Sequence, residues 1–263
     1  MSHKLDMPQS NMSSRRAAAL SLAIALAVPA GFATATDADT ATDTRQVYSA
    51  AAPPWLRAVG KLRVPGSKYH AGNREHLLED CSATLVARAP GRAADTIVTA
   101  WHCLAHYNDL SKPIVFTLLP GQPNVLQREA YHLADGGGMY ADWALLRLRQ
   151  PVPAAYVAAM TVDPDRVDPA RSITMAGYSR DEGKGEGGRR LSFDPACLIT
   201  AQAPAASASN CRAYKGSSGG AVMQLSPAGA PRLSGVISEG NGVGLSTFVP
   251  VDTFRSAISL HLN

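Results

Sequence analysis

The stretch Tyr214–Leu225, "YKGSSGGAVMQL", decides the fold. Gly216 and Gly219 allow backbone conformations closed to other residues, so a tight turn can aim Ser218 outward. The element entered after the serine sets the architecture. A helix there would belong to a mixed α/β sheet, whereas a strand belongs to an all-β fold. "GAVMQLSPAGAPRLSG" is strand-like and is broken by Pro227, Gly229 and Pro231, so the serine opens a strand.

Outward from that stretch, the chain shows short β-like runs separated by Gly, Pro and Asn/Asp clusters. "SATLVA", "DTIVTA", "PIVFTLL", "VLQREAYHL" and "WALLRL" precede it, with "RSITMAGY" and "CLITAQA" nearer, and "RLSGVIS" and "LSTFVPV" come after it. Many short strands at this spacing predict an all-β sandwich or barrel. Only the tail "VDTFRSAISLHLN" is helical in pattern, with Val251, Phe254, Ile258 and Leu262 on one face. The glycine-rich, charged loop "SRDEGKGEGGRR", Ser179–Arg190, is expected to be mobile and exposed. There is no repeat of solenoid or propeller length.

The N-terminus carries a different signal. Arg15 and Arg16 precede the apolar run Ala17–Ala30, and Ala33 and Ala35 fit the small-residue positions of a cleavage site. Residues 1–35 are therefore expected to be a secretory signal peptide, too short in its apolar part for a membrane anchor. Residues 36–52, polar and alanine-rich, are expected to be a linker or short propeptide, leaving 53–263 as the folded domain with halves near 53–150 and 151–263. Export to the periplasm or beyond would place Cys81, Cys103, Cys197 and Cys211 in an oxidising compartment. Of the three possible pairings, Cys81 with Cys103 and Cys197 with Cys211 closes the shortest loops. A zinc site is disfavoured, since no C-x-x-C pair occurs. With 46% hydrophobic and 17% charged residues and a net charge of +4 without basic stripes, nucleic acid is a poor partner.

Two further stretches carry candidate chemistry. In "TIVTAWHCL", Thr96–Leu104, a β-branched strand runs into His102, whose neighbour Cys103 would pin the backbone beside the imidazole. A general base needs that fixed orientation. In "MYADWALLRL", Asp142 lies just before an apolar strand, where a carboxylate can be buried against an imidazole N–H. Alone, each residue has an ordinary structural explanation; together with Ser218 they form a nucleophile, a base and an orienting acid.

"CSATLVA…TIVTAWHCL", "DWALLRL", "GSSGGAV" and "LSGVISEG" resemble, in order and rough spacing, the chymotrypsin/trypsin-like serine proteases in the compact form of secreted bacterial members. The resemblance runs from about Val59 to the end. It implies two packed six-stranded antiparallel β-barrels with a C-terminal helix, and a serine endopeptidase working through an acyl-enzyme. By it His102 is the base, Asp142 its partner, Ser218 the nucleophile, and the amides of Gly216 and Ser218 the oxyanion hole. It supports the disulfide beside His102. Ser238, Glu239 and Gly240 fall where the family pairs substrate backbone by β-augmentation. Arg212 falls at the primary pocket, where it would disfavour basic and favour acidic side chains unless it points to solvent. The implied partners are protein or peptide substrates, with no nucleic acid, membrane anchor, metal or cofactor, and a monomer is expected.

Ser217 stands where zymogen-type members keep the aspartate that pairs with a new N-terminal amine. It has no charge to offer, and no Arg or Lys followed by "IVGG" precedes the domain. The loop is therefore expected to form without an inserted N-terminus, held by neutral hydrogen bonds and the Cys197–Cys211 disulfide. Two other functions compete. The letters also satisfy G-x-S-x-G of the α/β-hydrolase esterases, but the strand-like continuation and the short remaining chain oppose it. A catalytically inactive protease fold used for binding is the other.

Overall fold

The computed structural model describes residues 42–262, so the expected signal peptide lies outside the described residues. Its first half contains β1 (Gln46–Val47), β2 (Val59–His70), β3 (Asn73–Ala87), β4 (Ala94–Thr99), β5 (Ile114–Leu118), β6 (Leu126–Asp135) and β7 (Ala144–Val152). β2 pairs with β3 and β5, β3 with β4, β4 with β7, β7 with β6, and β6 with β5, all antiparallel. That circuit returns to its start, making a closed six-stranded barrel with no free edge around its girth. Period-2 alternation fills it: Ile114, Phe116 and Leu118 of β5 are all buried, with their neighbours half-exposed.

β2 is not among the runs that the sequence identifies, because Gly60, Pro65 and Gly66 interrupt it. Gly60 is required by the ring of Phe116, and Gly66 by the backbone of His106, each of which a Cβ would meet. Pro65 lies beyond Arg63, where β5 stops pairing and β2 becomes an edge, so its missing N–H is tolerated. The β2–β3 hairpin closes through Ala71 (φ 48°) and Gly72 (φ 82°), the two left-handed residues that match strand twist.

The second half holds β8 (Met160–Val162), β9 (Ile173–Gly177), β10 (Ser192–Cys197), β11 (Ile199–Gln202), β12 (Ser207–Ser209), β13 (Ala221–Leu225), β14 (Pro231–Gly240) and β15 (Ser246–Pro250), then α1 (Arg255–His261). Antiparallel pairing runs β10–β9–β13–β14–β15–β12–β11. The two disulfides join Cys81 to Cys103 and Cys197 to Cys211. β8 runs parallel to both β3 and β14 and so stitches the halves together. The tail is helical as its pattern predicts, with Val251, Phe254 and Ile258 buried. Its last carbonyl, that of His261, accepts from Thr96 and Arg147 of the first barrel. No described helix is long and apolar enough to cross a membrane.

Two segments differ from expectation. Within the stretch expected to be a linker, Asp43–Tyr48 is docked: β1 adds to β10, the Tyr48 amide donates to Leu191, and Arg45 is 2% exposed. The loop Ser179–Arg190 keeps Arg180, Glu182, Gly183, Arg189 and Arg190 exposed as expected, but Ser179, Gly185 and Gly188 are buried and Asp181 turns in to that arginine. The physical reason is shared. Arg45 makes paired hydrogen bonds to Asp43 and to Asp181, and the Lys184 ammonium donates to the carbonyls of Asp43 and Arg45. Charges that suggest solvation in the sequence are spent on each other.

Candidate active site

Asp142 is 1% exposed and lies just ahead of β7, where the pairing of Thr99 with Ala144 brings it beside the turn that follows β4. That turn, Trp101–Leu104, carries His102. Three donors converge on the carboxylate. The His102 amide reaches Oδ1 at 2.9 Å, the His102 ring Nδ1 reaches Oδ2 at 2.8 Å, and the Ser238 hydroxyl reaches Oδ2 at 2.5 Å. With Nδ1–H donated to the carboxylate, the neutral ring keeps its lone pair on Nε2.

Both ionisations result from this packing. Burial opposes the His102 imidazolium, but the hydrogen bond and charge of Asp142 outweigh it, with Glu79 and Glu239 adding to them, so His102 titrates above its usual range. Burial also opposes the Asp142 carboxylate, yet the donors from His102 and Ser238 hold it below the usual carboxylate range. The result is a base oriented by a partner whose ionised form the packing favours. Cys103, joined to Cys81 of β3, fixes the backbone next to His102.

The Ser218 loop is held from the opposite side. Ser82, one residue past Cys81, donates its amide to the Ser218 carbonyl at 2.8 Å and its hydroxyl to the Gly216 carbonyl at 2.8 Å. The Ser82 hydroxyl also accepts from the Tyr178 amide, and its carbonyl accepts from Thr99 Oγ1. Gly216 (φ 93°) and Gly219 (φ 81°) occupy the left-handed region, and a Cβ on Gly219 would strike Thr99 and the Ser82 carbonyl. Ser217 is buried, with its amide and hydroxyl both donated to the Tyr214 carbonyl at 3.0 and 2.6 Å. Among the described residues, the amides of Gly216 and Ser218 donate to no protein acceptor.

His102 and Ser218 line one open cleft of about 600 Å³, together with Ser238, Glu239 and Gly240. The Ser218 hydroxyl donates to the Ser238 carbonyl at 3.2 Å. β14 pairs with β15 through Gly240, but β13 stops at Val236, so the cleft side of residues 238–240 is an unpaired strand edge. Arg212 does not line this cleft. Its amide donates to Asp194 at 2.7 Å and its guanidinium reaches the Gly242 carbonyl at 3.5 Å. Ser82, Thr99 and Arg45 are absent from the sequence expectations, since nothing local distinguishes a buried serine or arginine hub from a surface one.

Among the described residues, two clusters bring together His, Cys and Asp side chains: Cys81, His102 and Cys103, and Asp194, Cys197 and Cys211. In both, the sulfurs are consumed in disulfides, which leaves too few donors for a metal.

No family model and no curated protein matches the sequence. Among solved structures, the chain is similar to a thermostable serine protease, AL20, from an extremophilic microorganism. The TM-score is 0.57 at 16% identity, covering 79% of this chain and 99% of that one. It is also similar to the protease Anisep from Arthrobacter nicotinovorans, with a TM-score of 0.57 at 18% identity, covering 82% of this chain and 99% of that one. The chain has the chymotrypsin-like double β-barrel fold of serine proteases.

Proposed function

We propose that the chain is a serine endopeptidase in which Ser218, His102 and Asp142 form the catalytic triad. The observation that carries this is the convergence of the His102 amide, the His102 Nδ1 and the Ser238 hydroxyl on one buried Asp142 carboxylate, beside a cleft that also exposes Ser218. A general base needs such a fixed imidazole, with Nδ1–H held by a buried carboxylate and Nε2 left to take a proton.

In this mechanism the Ser218 hydroxyl leaves the Ser238 carbonyl and donates to His102 Nε2. Its oxygen bonds to the scissile carbonyl carbon as the proton moves to the imidazole. Asp142 stabilises the imidazolium, and the undonated amides of Gly216 and Ser218 receive the developing oxyanion. His102 then returns the proton to the departing amine as the C–N bond breaks. Water repeats the sequence on the acyl-enzyme: His102 takes its proton, the hydroxyl adds to the ester carbon, and Ser218 leaves reprotonated. The open edge at Ser238–Gly240 would pair with substrate backbone as an added strand, which suits protein and peptide substrates. The two disulfides fit an exported protein in an oxidising compartment.

The test is labelling of the purified protein by a fluorophosphonate, with Ser218→Ala alongside. Labelling and peptide hydrolysis are expected in the native protein and neither in the variant, with the fold retained. A folded native protein that never labels would instead leave a binding role for the barrel.

A further inference from the structure

An ordered cation lies behind the Ser218 loop, and the chemistry of the cleft does not use it. Arg45 presents its guanidinium to two carboxylates at once: Nε and one terminal nitrogen to Asp43 at 3.0 and 2.7 Å, and both terminal nitrogens to Asp181 at 2.8 and 2.9 Å. The Cζ of the same group lies over the Tyr214 ring, 4.0 Å from its centroid. Burying a cation this completely is costly unless it is paired, so the segment has been built around that placement.

Tyr214 begins the stretch that ends at the nucleophile. Its carbonyl accepts both donors of Ser217, and its ring fills the space beside Gly242, where a Cβ would lie 2.5 Å from Tyr214 Cε1. Two more tethers run in parallel. Arg180, next to Asp181, donates its amide to the Lys215 carbonyl at 2.6 Å. Thr44, next to Arg45, donates to Asp194 Oδ1 at 2.8 Å, while Asp194 Oδ2 accepts the Arg212 amide at 2.7 Å. Residues 212, 214 and 215 are thus each anchored directly or through one partner to Asp43–Arg45 or to the loop those residues organise.

We propose that Arg45 is a positioning residue for the nucleophile loop: the segment Asp43–Tyr48 is an internal strap whose guanidinium presses on Tyr214 and holds residues 214–218 in the conformation that leaves the Gly216 and Ser218 amides undonated. This rests on the serine endopeptidase assignment above. It also answers what replaces the charge that Ser217 lacks. The ion pair is present but displaced, with the cation supplied from within the chain and the anions from Asp43 and Asp181, so no newly cut amine has to enter the body. The neutral bonds of Ser217 to the Tyr214 carbonyl and of Ser82 to the Gly216 and Ser218 carbonyls remain, and the ion pair adds to them.

The experiment compares native protein, Arg45→Met and Arg45→Lys in acylation by a fluorophosphonate and in peptide hydrolysis, with rates expressed per titrated active site. A merely structural role would lower the fraction of active protein without changing the rate per site. The strap predicts a fall in acylation rate per site on the order of tenfold to hundredfold for Arg45→Met, with KM within about twofold. Arg45→Lys should recover part of the rate, since an ammonium keeps the charge but not the double fork. Should Arg45→Met not fold, Asp181→Asn carries the comparison, with a several-fold fall expected. Equal rates per site in the folded variants would overturn the strap and leave the endopeptidase standing; a native protein that never acylates would overturn both.

Discussion

The Ser238 hydroxyl, on β14, donates at 2.5 Å to the carboxylate of Asp142, just before β7, so a residue of one half completes the environment of an acid belonging to the other. This bond lowers the Asp142 pKa and falls on the same oxygen, Oδ2, that meets the His102 ring. Ser238→Ala should therefore cut kcat by roughly tenfold, the loss expected for one hydrogen bond to a charged group. Steady-state kinetics against a peptide substrate checks this, and an unchanged kcat would show that the His102 contacts alone orient the carboxylate.

The raised pKa of His102 sets a pH profile. The base form of the imidazole is needed, and Asp142 favours the imidazolium, so kcat/KM should rise with pH through an inflection above 6.5, the ordinary histidine value. In Asp142→Asn the opposing burial is left without its counterweight. The inflection should then move downward while kcat falls on the order of 10⁴-fold. Stability obeys the same signs. The contribution of His102 is fully present below pH 6.5 and fades as pH rises through its raised pKa. The contributions of Asp142, Asp43 and Asp181 are present above 3.8 and fade as pH falls through their lowered values. Urea denaturation across pH reads both limbs.

The disulfide beside His102 closes a loop with a sequence separation of 22. Replacing Cys81 and Cys103 together by alanine should cost about 3 kcal/mol by loop entropy. For a domain of this size that corresponds to roughly 6–12 °C in Tm. Scanning calorimetry of the double variant measures it, and a shift under about 2 °C would mean the barrel already fixes both ends.

Gly219 and Gly229 separate strain from collision. Both have positive φ, 81° and 79°, but a Cβ meets Thr99 and Ser82 at Gly219 and nothing at Gly229. Gly229→Ala should cost about 1 kcal/mol, the left-handed penalty alone. Gly219→Ala should cost about 3 kcal/mol or more and abolish labelling of Ser218. Equal losses in chemical denaturation would show that the nucleophile turn yields to its neighbours.

Much of this protein is legible along the chain because its signals are local. Period-2 apolar runs mark the strands, the broken stretch after Ser218 excludes a helix, and Val251, Phe254 and Ile258 mark the one terminal helix. β2 escapes the same treatment because Gly60 and Gly66 answer to Phe116 and His106, which are distant in sequence. In the glycine loop the exposed charges Arg180, Glu182, Arg189 and Arg190 match their local pattern, and Asp181 departs from it because Arg45, 136 residues away, draws it inward.

The sequence by itself determines the strand-rich chain, the cysteines available for pairing and the three residues able to act as nucleophile, base and acid, since residue type and periodicity suffice for these. Tertiary structure alone brings the Ser82 hydroxyl to the Gly216 carbonyl, the Ser238 hydroxyl to Asp142 and the Arg45 guanidinium to the Tyr214 ring. Hydrogen bonds and ion pairs between segments 96 or more residues apart leave no local pattern; they exist only once the fold brings their partners within about 3 Å.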